Sequence, residues 1–233
     1  MIQMNRLLLL TPLLTILASP VAAQTILSLS ATGTASAAPD EAVAHFQAQA
    51  TKSDAAAAQA AVNQAVGRAL TAARAVTGVT VTTSGYNTYS VVPENQTKPA
   101  FTAEQSLTLV QPDAGGVPDA AFTNLLTKLQ SDGLLLTGLS GDLSSTSTAK
   151  LQQQAVRNAL NELREEAENI ANTLHKKVGA LQSLTVGTEG GPTPPFLMGA
   201  RAMAVAAPPP QSAPDNISTT ARVAAKIELD AGS

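Results

Sequence analysis

The stretch ISTTARVAAKIELD, residues 217–230, alternates apolar and polar side chains along its whole length. Ile217, Val223 and Ile227 fall on one side, whereas Arg222 and Lys226 fall on the other. This period of two predicts a β-strand with one buried face and one solvated face. Because a strand of this length would form an exposed, adhesive edge on its own, we expect it to complete a sheet built by earlier parts of the chain.

The same patterns predict six further strands and three helices upstream. Strands alternate along one face, and helices carry apolar residues three or four positions apart. The turn at Pro39-Asp40 predicts that the first two strands form a hairpin. Hairpins and helices follow one another in blocks, which predicts an α+β protein, an antiparallel sheet with helices packed on one face. Strands are expected at 26–33, 41–51, 79–92, 100–111, 134–143 and 181–188, and helices at 55–76, from 118 to about 132, and from 147 or 148 to about 178.

The longest predicted helix carries a stripe of apolar residues spaced by four and three positions. A Gly179 just past its end is typical of a helix stop. The spacing fits a helix packed on a sheet, and a coiled-coil seam is the alternative. Three heptads are few for a coiled coil, so packing on the sheet is favoured. The stripe consists of Val156, Leu160, Leu163, Ala167, Ile170 and Leu174.

Residues 1–23 have the pattern of a secretory signal peptide. Arg6 precedes a largely apolar run at 7–18, and small residues follow at 21–23. A transmembrane anchor is the alternative, but 12 helical residues span only about 18 Å of a hydrocarbon core about 30 Å thick. We expect cleavage after Ala23 and no transmembrane segment in the mature chain. Residues 24–233 then form a single domain.

Residues 190–215 differ in composition from the rest of the chain. The segment combines paired glycines and clustered prolines with small residues, which predicts a long mobile loop. It includes Met198 and Met203. Exposed methionine is open to reversible oxidation, although filling of gaps in an apolar segment is the simpler interpretation of both residues.

Composition excludes several classes of chemistry. Charged residues make up 13% of the chain, about half of the roughly 25% usual in soluble domains, and the formal net charge is −3. No basic surplus favours nucleic acid. The absence of cysteine excludes disulfides, thiolate metal sites and cysteine nucleophiles, and favours a bacterial periplasm for an exported chain.

The remaining candidates for chemistry have structural explanations. His45 is expected on the polar face of a strand, and His175 in the last turn of the long helix, where positive charge suits the helix end. Ser140, within Gly138-Leu139-Ser140-Gly141, misses the Gly-x-Ser-x-Gly nucleophile motif by one residue. Four acidic residues alternate with Arg157 and Arg164, which predicts an ion-paired surface in preference to a cation site; they are Glu162, Glu165, Glu166 and Glu168. We therefore predict no catalytic, cofactor-binding or metal-binding residue and no cofactor.

Several short stretches resemble one known family. They are the Pro39-Asp40-Glu41-Ala42 turn between two strands, the Gly-Val-Thr-Val-Thr-Thr run at 78–83 before a strand with Tyr86 and Tyr89, and the alanine-spaced helix at 153–171. Their order is similar to that of the SIMPL domain family (DUF541), over about residues 26–229. The resemblance implies a periplasmic or outer-membrane-associated protein, whose relatives are surface antigens or are linked to oxidative stress. It implies no catalytic residue.

Together these observations favour a non-enzymatic protein of the bacterial envelope that works by assembly. We expect self-association, with other envelope proteins as further partners and no nucleic acid. Two alternatives stay open at this point: a module for protection against oxidative stress or for ligand binding, and an unrecognised hydrolase.

Overall fold

The computed structural model describes residues 25–92, 99–112, 115–189 and 214–232, which form seven strands and three helices. The predicted signal peptide and residues 190–213 of the predicted loop lie outside the described residues. The α+β class is confirmed. The elements are β1 (Thr25–Ala37), β2 (Glu41–Lys52), α1 (Ala55–Arg74), β3 (Thr80–Val91), β4 (Ala100–Pro112), α2 (Ala120–Ser131), β5 (Leu135–Asp142), α3 (Ser145–Thr173), β6 (Lys176–Glu189) and β7 (Ile217–Ala231).

The seven strands divide between two antiparallel sheets. One has the order β1-β7-β6 and the other the order β3-β4-β2-β5. The predicted hairpin of β1 and β2 is wrong, because β1 pairs along its whole length with β7, from Thr25 opposite Leu229 to Ala37 opposite Ile217. The turn residues Pro39 and Asp40 instead carry the chain from one sheet to the other. The sequence shows a turn at this point, but the partner of β1 lies at the far end of the chain.

The four-stranded sheet and helices α1 and α2 enclose the larger core. Phe46 of β2, Leu107 of β4 and Phe122 of α2 are fully buried there. The predicted alternation of β2 is confirmed, and β3 pairs antiparallel with β4. Helix α1 begins after Asp54, whose carboxylate accepts the backbone N–H of Ala57 at 2.8 Å. This capping bond satisfies a backbone donor that the first helical turn leaves free.

Helix α3 packs on the three-stranded sheet over β1 and β7, with which it forms a second, smaller core. The alternation predicted for β7 is confirmed, with Val223 and Ile227 buried and Arg222 and Lys226 exposed. β7 lies between β1 and β6, so it is the central strand of this sheet. None of the helices in the described part of the chain is long and apolar enough to cross a membrane.

The ends of α3 differ from the prediction. The helix is capped by Ser144, three or four residues before the expected cap at Ser147 or Thr148, and it stops at Thr173. His175 follows in the left-handed region, with φ of +55°, and β6 begins at Lys176. Gly179, the predicted helix stop, therefore lies inside a strand. Histidine adopts left-handed backbone more often than most residues do, so here it takes the place usually given to glycine.

The buried face of α3 also differs from the prediction. Of the predicted stripe, Leu163 and Ala167 are buried, whereas Leu174 is 51% exposed. The other three predicted residues, Val156, Leu160 and Ile170, are half-buried. Small residues allow a helix to approach a sheet closely, and this helix uses its alanines for that contact. The buried residues follow one another at every fourth position: Leu151, Ala155, Ala159, Leu163, Ala167 and Ala171.

Candidate functional site

The serine that most resembles a nucleophile lies in the middle of a strand. Ser140 belongs to β5 and pairs with Val43 of β2. A nucleophile elbow requires a sharp turn from a strand into a helix, so that the hydroxyl stands clear of the sheet. The structure places neither histidine in a hydrogen bond with this hydroxyl. Ser140 is therefore part of the sheet.

His45 lies on the outer face of the four-stranded sheet, among other polar side chains. Its Nδ1 atom is 3.1 Å from the hydroxyl of Thr108 on the neighbouring strand. On the same sheet the Gln47 amide donates to the Glu104 carboxylate at 3.0 Å, and the Tyr89 hydroxyl donates to the same carboxylate at 3.5 Å. We call this group the polar face. The sequence predicted the polar side of β2, but it did not indicate that Tyr89 and Glu104 would join it.

His175 lies far from that face, at the junction of α3 and β6. It is exposed, and its left-handed backbone turns the chain from the helix into the strand. The prediction that it occupies the last turn of the helix is wrong, because the helix ends two residues earlier. The position of His175 is explained by chain geometry.

Asp40 connects the turn after β1 to the start of α3, whereas the sequence predicts it only as part of a turn. Its carboxylate accepts the backbone N–H of Ser144 at 2.6 Å and the hydroxyl of Ser144 at 2.8 Å. The hydroxyl of Ser147 donates to the same carboxylate. Asp40 thereby holds the N-terminus of α3 against the link between the two sheets, where negative charge is also favoured by the helix dipole.

The charge of Asp40 affects its acidic neighbour. Burial raises the pKa of Asp40, but the hydrogen bonds from Ser147 and Ser144 outweigh it, so the pKa lies below its ordinary value. Glu41 shows the opposite shift. Burial raises its pKa, and the nearby carboxylates of Asp40 and Asp142 raise it further. Since the carboxylate of Asp40 is occupied by the serines that begin α3, we regard this cluster as structural.

The acidic side chains of α3 lie in solvent, as the sequence predicted. Glu162, Glu165 and Glu166 are exposed, and Glu168 is 4.0 Å from Arg164 one turn away. Arg157 donates instead to the side chain of Gln154 at 2.6 Å. Among the described residues, no group of three or more histidines and acidic residues is arranged to hold a metal ion.

An exposed strip of apolar side chains runs along β6. Val178, Leu181, Leu184 and Val186 are between 40% and 55% exposed. Each lies opposite a buried residue of β7, for example Val186 opposite Val223 and Leu184 opposite Ala225. Residues opposite each other in an antiparallel pair share a face. These four residues, which we call the β6 strip, therefore lie on the face that α3 covers over β1 and β7.

The β6 strip could not be placed correctly from the sequence. The predicted helix ran to about Val178, and the predicted strand began only at Leu181. The apolar spacing of the strand was visible, but an apolar strand residue is ordinarily a core residue. Only the position of α3 over β1 and β7 shows that the strip is left uncovered.

The fold and its surfaces define a two-sheet α+β protein with four exposed apolar side chains along the edge strand β6. The sequence pattern of one family, SIMPL, described as a protein of unknown function (DUF541), matches residues 27–227. The chain belongs to the SIMPL family, which confirms the resemblance seen in its motifs. No curated protein matches the chain significantly.

Proposed function

We propose that this SIMPL-family protein is a non-enzymatic component of the cell envelope that acts by self-association. The observation that carries the proposal is the β6 strip on an open strand. Open strand edges with apolar side chains bind other strands readily, and contiguous exposed apolar patches mark interaction sites.

The surroundings of the polar groups support a role without catalysis. The carboxylate of Asp40 is occupied by two serines, and the imidazole of His45 is bonded to a threonine on an open sheet face. Catalytic groups ordinarily converge on a concave pocket that excludes water. A shallow space of about 290 Å³ between the end of α3 and the start of β6 is lined by polar and charged residues such as Glu168 and Asn172, with neither histidine among them.

The envelope location rests on the sequence of residues 1–23. Export with cleavage after Ala23 gives a mature chain that begins at Gln24. Sequencing the N-terminus of the protein recovered from the envelope tests this step. A recovered chain that still contains Leu7 to Leu17 would contradict it.

Light scattering coupled to size-exclusion chromatography tests self-association of the mature protein. We expect a mass at least about twice that of one chain, because an uncovered apolar edge favours pairing at micromolar concentrations. A single-chain mass across the whole accessible concentration range would overturn the proposed function.

A ligand-binding module of the envelope is the second candidate, and the polar face favours it. An exposed ring at Tyr89 beside the carboxylate of Glu104 offers stacking and hydrogen bonding together. The test compares small molecules that co-purify from intact envelopes with the native protein and with Glu104→Ala. The exposed variant Glu165→Ala serves as the control. Identical bound material in all three would argue against this candidate.

A further inference from the structure

The three-stranded sheet has two edges, and they are not equally open. On the β1 edge, the amide of Asn158 from α3 donates to the backbone carbonyl oxygen of Thr34 at 2.8 Å. Helix α3 therefore occupies part of that edge. Within the described part of the chain, β6 pairs only with β7. The β6 edge is thus the place where a further strand fits.

The regular part of β6 lies in its second half. The register with β7 shifts between Val178 and Ser183, and such irregularities protect strand edges from pairing. From Ser183 to Glu189 the register runs without interruption. This regular segment contains Leu184 and Val186, the two members of the β6 strip best placed for a new strand.

The composition of β6 suits pairing with an identical strand. Residues 178–188 contain no charged residue and no proline. Like charges placed opposite each other destabilise a strand pair, and identical strands bring the same charges. A neutral segment avoids that repulsion. Residues 178–188 therefore carry no charge that would favour a partner strand of opposite charge.

We propose that two copies of this chain join antiparallel through β6 about a two-fold axis near Thr185, a proposal that rests on the proposed function. Leu184 then lies opposite the partner's Val186, and Val186 lies opposite the partner's Leu184. Both pairs fall on the face that carries α3. The two three-stranded sheets become one continuous sheet of six strands.

Two-fold pairing would give an assembly that stops at two copies. An interface that uses the same strand on both copies is satisfied after one pairing. Pairing of β6 with the β1 edge of another copy would leave a free edge at each end and extend into rings or fibres. It would also meet the carbonyl of Thr34 that Asn158 already occupies.

The lack of cysteine in the chain permits a direct test with the full mature protein. Thr185→Cys places one thiol at the proposed axis, where facing Cβ atoms are about 4.5–5.5 Å apart, close to disulfide distance. Mild oxidation should convert most of this variant into a covalent dimer. Glu165→Cys, on the exposed side of α3, is the matched control and should remain a single chain.

Charge substitutions provide the second measurement. Leu184→Lys and Val186→Lys, made separately, each place a charge opposite an apolar residue of the partner, Val186 or Leu184, and should reduce the measured mass to about half. Both variants should remain folded, with the far-ultraviolet circular dichroism of the native protein, because Leu184 and Val186 are 43% and 47% exposed. The control is Ile26→Lys, on the other edge strand and 50% exposed, which should keep the native mass.

The alternatives give distinct results. If Ile26→Lys dissociates the protein, β1 forms the interface and the proposal is overturned. If the native protein is oligomeric but Thr185→Cys does not cross-link and Leu184→Lys keeps its mass, another surface assembles the protein and the proposed interface is overturned. The proposed function then stands without this interface. A native protein of single-chain mass would overturn both.

Discussion

Gly33 of β1 faces the backbone of Ala159 in α3 so closely that a Cβ atom added to Gly33 would lie 2.1 Å from the Ala159 nitrogen. The same atom would lie 2.4 Å from the carbonyl oxygen of Ala155. Both neighbours are helix backbone, which has no flexible side chain to move aside. The missing side chain of Gly33 therefore sets the distance between the long helix and its sheet.

We expect Gly33→Ala to lower the free energy of unfolding by about 3 kcal/mol, because helix and strand must separate to admit one methyl group. Urea denaturation measures the change. Gly67→Ala is the control: it lies in α1 with nothing within 4 Å of an added Cβ. This second change should raise stability by about 1 kcal/mol, since alanine favours helix. Equal stability of the two variants would show that α3 moves freely on the sheet.

The buried face of α3 predicts different costs for two residues of the original apolar stripe. Leu163→Ala should lower the free energy of unfolding by about 2–5 kcal/mol, because Leu163 is buried in the smaller core. Ile170→Ala should cost clearly less, about 1 kcal/mol, because that side chain is only half-buried. Thermal unfolding of both variants at one protein concentration provides the comparison. Equal losses of unfolding free energy in the two variants would indicate that α3 buries the face predicted from hydrophobicity.

Asp40 predicts a dependence of stability on pH. Its folded-state pKa lies below the ordinary value, so its stabilising effect is complete above that ordinary value and is lost as the pH falls through the folded-state pKa. Asp40→Asn should lower stability at neutral pH by about 1 kcal/mol, through loss of a charged acceptor at the helix start. Its stability should also fall less than that of the native protein between about pH 5 and pH 2.

Glu41 provides a control of opposite sign in the same cluster. Its raised folded-state pKa means that it favours the folded state most when protonated, and that it opposes folding as the pH rises through that pKa. Glu41→Gln should therefore raise stability at neutral pH. A loss in this variant similar to that of Asp40→Asn would indicate damage to the link and not an effect of charge.

Thr219 predicts a stabilising substitution. Its hydroxyl oxygen is buried and has no hydrogen-bond partner in the described part of the chain. Thr219→Val keeps the shape and removes the unsatisfied hydroxyl, so the free energy of unfolding should rise by about 1 kcal/mol. Thr32→Val, at an exposed position of β1, is the control and should change little. Destabilisation by Thr219→Val, measured in urea, would show that the hydroxyl has a partner.

His175 predicts opposite effects from two substitutions. His175→Gly should raise stability by about 1 kcal/mol, because glycine adopts the left-handed backbone without strain. His175→Ala keeps the strain and should change stability by less than about 0.5 kcal/mol. Both variants should keep the molecular mass of the native protein in solution, as should His45→Ala. Loss of a measurable phenotype with native fold and mass would indicate that an imidazole has a chemical role.

Local features of the fold could be predicted from the sequence. The alternation in β2 and β7 and the stripe of α1 are set by burial along one face, a pattern that each segment carries by itself. The pairing of β1 with β7 could not be predicted in this way, because it depends on which distant strand fits and not on the residues of the turn at Pro39.

The face of α3 shows a different limit. Hydrophobicity selects the largest apolar residues, and it therefore selected Leu160 and Ile170. Close packing selects small residues, and the structure buries Ala159 and Ala171. The two criteria agree at Leu163 and Ala167 and diverge elsewhere. Gly33 is the residue in the sequence that could have indicated this contact, because a glycine within a strand often marks the close approach of another backbone.

The central position of β7 sets an order of events during synthesis. Strands β1 and β6 do not pair with each other, so they have no shared sheet until residues 217–231 have left the ribosome. The first strand must wait, unpaired, for a partner made almost two hundred residues later. Pairing between such distant segments is slow to form. The half of the molecule that holds α3 therefore completes its sheet only after nearly the whole chain has been made.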